Sequence, residues 1–461
     1  MNAPSIEYSL ILPMLIVFGA AVTSVAIEAA VGRRRRYITQ LTVCAVALIS
    51  ALMAVIVLAG TRQQALMGAV AVDGPALFAQ GVILVVSLLA VSLIAEGRVR
   101  AFTAQGAAVP GSDAECAAER AGAVQTAVFP LLMFTIGGML LFAAAGDLLT
   151  MFVALEVFSL PLYLLCGLAR RRRVLSQEAA LKYFLLGAFS SAIFLYGVAL
   201  LYGATGVLSL TAIGALVDRT PSVLVGVGLL AVGVLFKVGA IPFHSWVPDV
   251  YQGAPTAVAA FMAAATKVAA FAAMLRMFSV ALPDLQSDWR PVLSAIAVLT
   301  MVMGAVLAVS QTDIKRLLAY SAVAQAGFLL LGVVAFSSSG VSSTLVYLAV
   351  YGVCVLGAFA VVGVVGETTE ISRWAGLGRH CPALAGSFAL FLLALAGIPL
   401  TSGFVGKLAV FQAAAAGGAA MLVVVGVLAS AVAAFVYARV ILLMFFTEPP
   451  SDARPWSVAV A

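Results

Sequence analysis

Read from the amino terminus, the chain alternates long apolar runs with short polar punctuation. A membrane-crossing helix needs about 20 apolar residues, with a range of roughly 17–25. Thirteen stretches meet that length, at about 9–31, 38–59, 76–97, 125–145, 147–169, 177–202, 222–246, 254–278, 291–310, 316–336, 342–366, 383–411 and 417–446. Some turns are very short, such as Gly146-Asp147 between the fourth and fifth stretches. The longest connection, about 98–124, is Ala/Gly-rich with mixed charge and reads as a loop. The pattern predicts an all-α polytopic membrane protein. The first stretch lacks the basic start and short apolar core of a cleaved signal peptide, so it is expected to remain as a helix.

Composition turns that pattern into an exclusion. Of 461 residues, 64% are hydrophobic and 10% charged, and the mean hydropathy is +1.16. Soluble domains are roughly 45–50% apolar and about 25% charged, so a soluble enzyme, a disordered chain and a nucleic-acid binder are excluded. The five cysteines, Cys44, Cys116, Cys166, Cys354 and Cys381, have no C-x-x-C spacing and predict neither a zinc nor an iron–sulfur site nor a disulfide framework.

The net charge of +6 is an orientation signal rather than a sign of acidic partners. With the N-terminus outside, the inside loops hold Arg33–Arg36, Arg98, Arg100, Arg120, Arg170–Arg173, Lys315, Arg316, Arg373, Arg379 and Arg454. The outside regions hold only Arg62, Arg219, Arg276 and Arg290. Sixteen against four follows the positive-inside rule, which predicts the N-terminus outside and the C-terminus inside.

A weak internal echo runs through the spans. Leu186-Gly-Ala-Phe189 recurs as Leu356-Gly-Ala-Phe359, and Ile241-Pro242 recurs as Ile398-Pro399. Five helices separate the members of each pair, so the copies would lie inverted in the membrane. Inverted repeats with interrupted helices are a transporter pattern.

Chemistry is expected from the ionisable residues that break the apolar rule. A charge at mid-bilayer costs roughly 2.5–3.5 kcal/mol on insertion scales and needs a partner or a wet cavity. Glu156 lies mid-span in the fifth stretch, Lys182 nearer one end of the sixth, Lys237 five residues before Pro242 in the seventh, Lys267 centrally in the eighth, and Lys407 eight residues after Pro399 in the twelfth. One acid and four bases at membrane depth suit a proton path. The plain alternative is that these charges pair and hold helices together, and Lys182 could snorkel to the surface. His244 follows Lys237 by two turns and suits a proton relay or a hydrogen-bonded loop position; Tyr320 suits a hydrogen bond or ordinary packing. With His244 and His380 as the only histidines, no His-based metal site is expected. Gly403-Phe-Val-Gly406-Lys407 lacks the spacer and Ser/Thr of a P-loop, and Gly226-Val-Gly228 has no Rossmann context, so no nucleotide, flavin or haem site is expected.

Four blocks carry a resemblance: Phe236-Lys-Val-Gly-Ala-Ile-Pro-Phe-His244, Trp246-Val-Pro-Asp-Val-Tyr-Gln-Gly-Ala-Pro255, Glu178-Ala-Ala-Leu-Lys-Tyr-Phe-Leu-Leu-Gly187 and Asp313-Ile-Lys-Arg-Leu-Leu-Ala-Tyr-Ser321. They resemble the antiporter-like membrane subunits of bacterial proton-pumping NADH–quinone oxidoreductase, respiratory complex I, and within them the subunit N type. The wider family includes the L and M types and Mrp-type cation/proton antiporters. Those usually carry Asp-Ala-Met-Glu-Gly-Pro-Thr-Pro and a histidine in the eighth helix, where this chain has Asp249-Val-Tyr-Gln-Gly-Ala-Pro255 and Lys267.

The resemblance implies an antiporter-like fold with inverted five-helix repeats and broken helices seven and twelve. In that frame residues 1–124 form an N-terminal three-helix region with an inside loop, 125–278 the first repeat, 291–446 the second, and 447–461 a short polar tail. A fourteenth helix, usual in the family, is not expected from the residues after Glu448. The resemblance also places Glu156, Lys182, Lys237, Lys267 and Lys407 on the family's proton path, with His244 as a link. Glu156 would be the coupling acid toward a neighbouring subunit, Lys237 the central switch and Lys407 the outer relay. Expected partners are M-type and small K/J-type membrane subunits and the peripheral redox arm, in a bacterial plasma membrane. NADH, FMN, iron–sulfur clusters and quinone would sit in those partners, with no cofactor in this chain. The alternatives are an Mrp-type antiporter component and a membrane scaffold without its own path.

Overall fold

The computed structural model describes residues 6–96, 102, 108–109, 112–121, 124–169, 173–366 and 369–448. Arg98, Arg100, Arg170–Arg172, Arg454 and the tail after Glu448 lie outside the described residues. In chain order the helices are α1 (Leu12–Ala30), α2 (Arg33–Val57), α3 (Gly74–Ala95), α4 (Asp113–Arg120), α5 (Val128–Ala144), α6 (Leu148–Cys166), α7 (Arg173–Thr205), α8 (Leu210–Leu216), α9 (Pro221–Val238), α10 (Trp246–Gly253), α11 (Thr256–Ala281), α12 (Gln286–Val309), α13 (Ile314–Val334), α14 (Ser338–Val365), α15 (Pro382–Ala396), α16 (Ser402–Ala416) and α17 (Ala420–Phe446). Among the described residues eleven helices are long and apolar enough to cross a membrane, and α5 and α15 are shorter apolar helices. Each of the thirteen apolar stretches contains helix.

The structure departs from the sequence reading in three places. The Arg33–Arg36 run is not a loop: α2 begins at Arg33, and Arg36 donates to the Val31 carbonyl at the end of α1 at 2.9 and 3.0 Å. A cation there satisfies orphan carbonyls and complements the helix dipole. The connection at 98–124 contains α4. Residues Gln63–Ala65 (β1) and Val70–Val72 (β2) form a small antiparallel hairpin that no apolar run announced.

The chain divides into two compact units. The first comprises the chain up to Val234 with Gly253–Val258 and Ala269–Pro283; the second comprises Leu235–Gln252, Ala259–Val268 and the chain from Asp284 onward.

In the first unit Glu28 of α1 fastens three segments. Its carboxylate accepts from Arg36 at 3.3 Å, Gln40 at 2.9 Å and Thr126 at 3.0 Å. Arg173, read from sequence as an orientation charge, is buried and donates to the Ala108 carbonyl at 2.6 Å beside Glu115 at 3.6 Å. Asp73 caps α3 through the Ala76 amide and also receives Arg276 of α11 at 2.7 and 2.9 Å. Burial pushes the Asp73 carboxyl up, but the Arg276 guanidinium, the Ala76 amide and the Arg62 charge together hold it below its ordinary range.

In the second unit α13 is almost wholly enclosed: every residue of it except Arg316 and Tyr320 is buried. The unit's architecture turns on two interruptions, at Gly239-Ala-Ile-Pro242 and Gly397-Ile-Pro399. Gly239 has φ +73° and Gly397 φ +79°, conformations open to glycine at little cost. At each, two amides fold back. Gly239 N–H donates to Phe236 O and Ala240 N–H to Leu235 O, while Gly397 N–H donates to Ala394 O and Ile398 N–H to Leu393 O. This is the Schellman pattern, written twice. Proline then bars continuation. After the second interruption the Thr401 hydroxyl accepts from Phe404 N–H at 3.4 Å and starts α16. After the first, Trp246 Nε1 donates to Phe236 O at 3.0 Å and holds α10 against the end of α9. The Ile241 amide is taken by Thr300 Oγ1 at 3.0 Å.

Candidate functional site

Lys237, His244, Lys267 and Lys407 all belong to the second unit. Each lies at a point where helical regularity fails or, as with Lys407, reaches one with its side chain. Lys237 occupies the last turn of α9, two residues before Gly239, and is buried. A cation there faces the negative end of the helix dipole. His244 stands in the turn between α9 and α10, its ring centroid 6.4 Å from that of Tyr320. Its Nδ1 is buried with no hydrogen-bond partner among the described residues.

Lys267 follows directly on a π-helical turn, Met262–Thr266, within α11. Such a turn inserts an extra residue and rotates everything after it. Nothing in Met-Ala-Ala-Ala-Thr signals this, since these residues also suit an ordinary helix. Lys267 is 2% exposed; its Nζ donates to the Ala322 carbonyl of α13 and lies 5.6 Å from the Tyr351 ring centroid. The ring supplies a cation–π contact.

Lys407 of α16 reaches back across the second interruption. Its Nζ donates to Ala396 O at 2.8 Å, Leu395 O at 3.2 Å and Ser430 Oγ at 2.9 Å, and it lies 4.5 Å from the Phe328 ring centroid. Three acceptors match the three hydrogens of an ammonium group. Two of them are orphan carbonyls from the end of α15, so the helix terminus is itself the ligand. Ser430 also donates to Ala396 O at 3.1 Å. Neither Lys267 nor Lys407 has a carboxylate partner among the described residues. The helix-fastening ion pair that sequence left open for them is therefore not what holds these two residues.

Two glycines in the P-loop-like decoy have packing reasons. A methyl on Gly403 would enter the contact shell of the Ala394 carbonyl, and one on Gly406 would meet Tyr347 Cδ2 at 2.6 Å. They let α16 approach α15 and α14 closely enough to bring Lys407 to its carbonyls.

Around these lysines stand groups that sequence reading missed. Gln325 of α13, 1% exposed, donates from Nε2 to Leu395 O at 2.8 Å, and its Oε1 accepts from the Tyr347 hydroxyl. Ser321 bonds Tyr437. An uncharged polar residue in a membrane helix looks like ordinary interhelical glue, and only the bonding pattern sets these apart.

A second polar cluster joins two of the resemblance blocks. Arg316 Nη1 donates to Asp249 at 2.8 Å and to Gln252 Oε1 at 3.0 Å. Gln252 Nε2 donates to Asp313 at 3.2 Å, which also accepts from Thr369 at 2.5 Å and caps α13. Lys315 donates to Gln252 O at 3.0 Å.

Glu156 and Lys182 belong to the first unit. Glu156 lies mid-way along α6, with Oε1 buried and unpartnered among the described residues. Lys182 pairs with Glu178 one turn earlier at 2.7 Å, and its side chain is 43% exposed.

Comparison with known proteins places this arrangement. The family described as NADH:quinone oxidoreductase/Mrp antiporter, TM, matches residues 145–433. The chain is 61% identical to NADH-quinone oxidoreductase subunit N of Rhodococcus opacus, covering 98% of this chain and 89% of that one. It is 58% identical to the Mycobacterium tuberculosis subunit N, covering 98% and 91%. Among solved structures, respiratory complex I from Thermus thermophilus contains a chain with TM-score 0.79 and 34% identity, covering 97% of this chain and 93% of that one. The Mrp complex from Dietzia contains one with TM-score 0.82 and 25% identity, covering 96% and 82%. A multi-pass helical architecture, the shared fold and this similarity along nearly the whole chain lead to one conclusion: the chain belongs to the NADH:quinone oxidoreductase/Mrp antiporter family of membrane proteins.

Proposed function

We propose that this chain is the N-type proton-translocating membrane subunit of an NADH–quinone oxidoreductase, respiratory complex I. The observation that carries the reading is Lys407: a buried cation held by two backbone carbonyls at a helix interruption and a serine, with no acid to neutralise it among the described residues. Lysine can release and regain a proton where arginine cannot. A site that binds a lysine by its protons, without a counter-charge, suits a side chain that exchanges them. Lys267, held by one carbonyl and a phenol ring, has the same character. Lys237, in the terminal turn of α9, is the central switch of the path. His244, in the turn between α9 and α10, is the link nearest the first interruption. Glu156 is the acid through which a neighbouring subunit acts, and Lys182, paired with Glu178, is a further member of the path.

The N-terminus lies outside and the C-terminus inside, as the positive-inside count indicates. Residues 125–278 and 291–446 are the two inverted repeats, following the N-terminal region 1–124; the paired glycine–proline interruptions support this. NADH oxidation, flavin, iron–sulfur clusters and quinone reduction belong to partner subunits. Energy released there reaches this chain as changes of charge and hydration around its lysines. The M-type and small K/J-type subunits are its membrane neighbours.

An Mrp-type antiporter component is favoured by one observation, the slightly higher TM-score of the Dietzia chain. The identity runs the other way, at 34% for the complex I chain against 25%. Purification from native membranes separates the two readings: co-purification with NADH-oxidising subunits supports complex I, and their absence from an intact Na⁺- or K⁺-transporting assembly overturns it. Within the complex, Lys237→Ala with assembly intact lowers NADH-driven proton pumping at least fivefold, and unchanged pumping leaves only a scaffold.

A further inference from the structure

Lys267 and Lys407 both touch α13, the first at the Ala322 carbonyl and the second over the Phe328 ring at 4.5 Å. Those positions are six residues apart, about 9 Å of helix rise. Gln325 stands midway between them, three residues from each and therefore on the same face. Both ends of its buried amide are engaged. Nε2 donates to Leu395 O at 2.8 Å, a carbonyl that also accepts from Lys407 at 3.2 Å. Oε1 accepts from the Tyr347 hydroxyl. Tyr437, bonded to Ser321, faces the same amide.

This chain of bonds joins Tyr347 to Lys407, but it does not conduct. Passing a proton through an amide requires the disfavoured imidic acid, and the Tyr347 proton is committed to Oε1. One turn along α14, on the same face as Tyr347, Tyr351 lies with its ring beside Lys267 and its hydroxyl buried without a partner among the described residues. Buried hydroxyls are nearly always bonded, to protein or to water. Gly406, beside Lys407, is what lets the Tyr347 ring approach so closely.

We propose that the Gln325–Tyr347 pair is a latch that closes the polar route between Lys267 and Lys407, with the Tyr351 hydroxyl as the point where a water chain reaches it from the Lys267 side. Breaking the Tyr347–Gln325 bond leaves a phenol and an amide oxygen to be solvated. Water admitted there spans the two lysines. Reforming the bond expels it and isolates them. This rests on the reading that the lysines move protons.

The test uses inside-out membrane vesicles containing the assembled complex, with NADH–ferricyanide activity reporting assembly. Two variants of one bonded pair are expected to fail in opposite ways. Tyr347→Phe removes the latch's donor, so the ratio of ΔpH to NADH oxidation falls at least twofold and the passive proton conductance of resting vesicles rises. Gln325→Leu replaces the amide with an apolar group of similar size, so ΔpH and quinone-linked NADH oxidation fall together at least fivefold, with no added conductance. Gln325→Met carries the same expectation should the leucine variant not assemble. The latch is overturned if Tyr347→Phe keeps the wild-type ratio and conductance, or if the Gln325 variant pumps like wild type. Lys407→Ala in the same vesicles separates the two ideas. If it too pumps normally, the proton-path reading has failed; if it stops pumping while both latch variants are normal, only the latch has.

Discussion

At the scale of single residues, the lysines depend on what their neighbours lack. Lys407 reaches its carbonyls because Gly397, Gly403 and Gly406 leave room; a methyl on Gly397 would meet Lys407 Cδ at 2.9 Å. Gly403 is the tightest case, facing the Ala394 carbonyl. Gly403→Ala is expected to push α16 off α15 and cost about 1–3 kcal/mol, as overpacking does. A lowered thermal midpoint of the solubilised complex, with reduced pumping, would show this; a wild-type midpoint would refute the close approach. The charged members of the site were legible in the sequence because hydropathy makes a lysine in an apolar run conspicuous. Gln325, Tyr347 and Ser430 were not legible. Their side chains are common in membrane helices, and their significance lies in the specific atoms they bond.

At the scale of elements, helix ends do the positioning. The apolar runs located most of the helices to within about five residues, while the runs 222–246 and 383–411 passed through the interruptions that Pro242 and Pro399 mark. The glycines at positive φ, two or three residues before each proline, give the chain its actual turn. The π turns in α11 were invisible, because backbone register is set there by packing rather than by residue type. A different helix end yields a prediction with a definite sign. Asp73 joins the start of α3 to Arg276 of α11, and its carboxyl is held below the ordinary range. A depressed folded-state pKa contributes stability that is present above the unfolded value, about 3.9, and lost as pH falls through the folded value. Asp73→Asn should therefore lower resistance to heat and protease at pH 5–7. The difference from wild type should shrink below about pH 3.9. A difference that grows on acidification would contradict the pairing.

At the scale of the whole molecule, the charge scarcity that marks a membrane protein divides into two kinds of residue. Some charges read from sequence as orientation signals have structural partners as well: Arg36 closes α1, Arg173 donates to Ala108 O beside Glu115, and Arg290 donates to the Val334 carbonyl at the end of α13. The lysines of the second unit are different, since backbone and hydroxyl oxygens, not acids, receive Lys267 and Lys407. The central claim is that these lysines carry protons rather than merely positive charge. Arginine keeps the charge and cannot give up the proton. The direct measurement is NADH-driven ΔpH in vesicles containing assembled complex with Lys267→Arg. The account predicts at least a fivefold loss of ΔpH with NADH–ferricyanide activity retained, and full pumping by the arginine variant would contradict it.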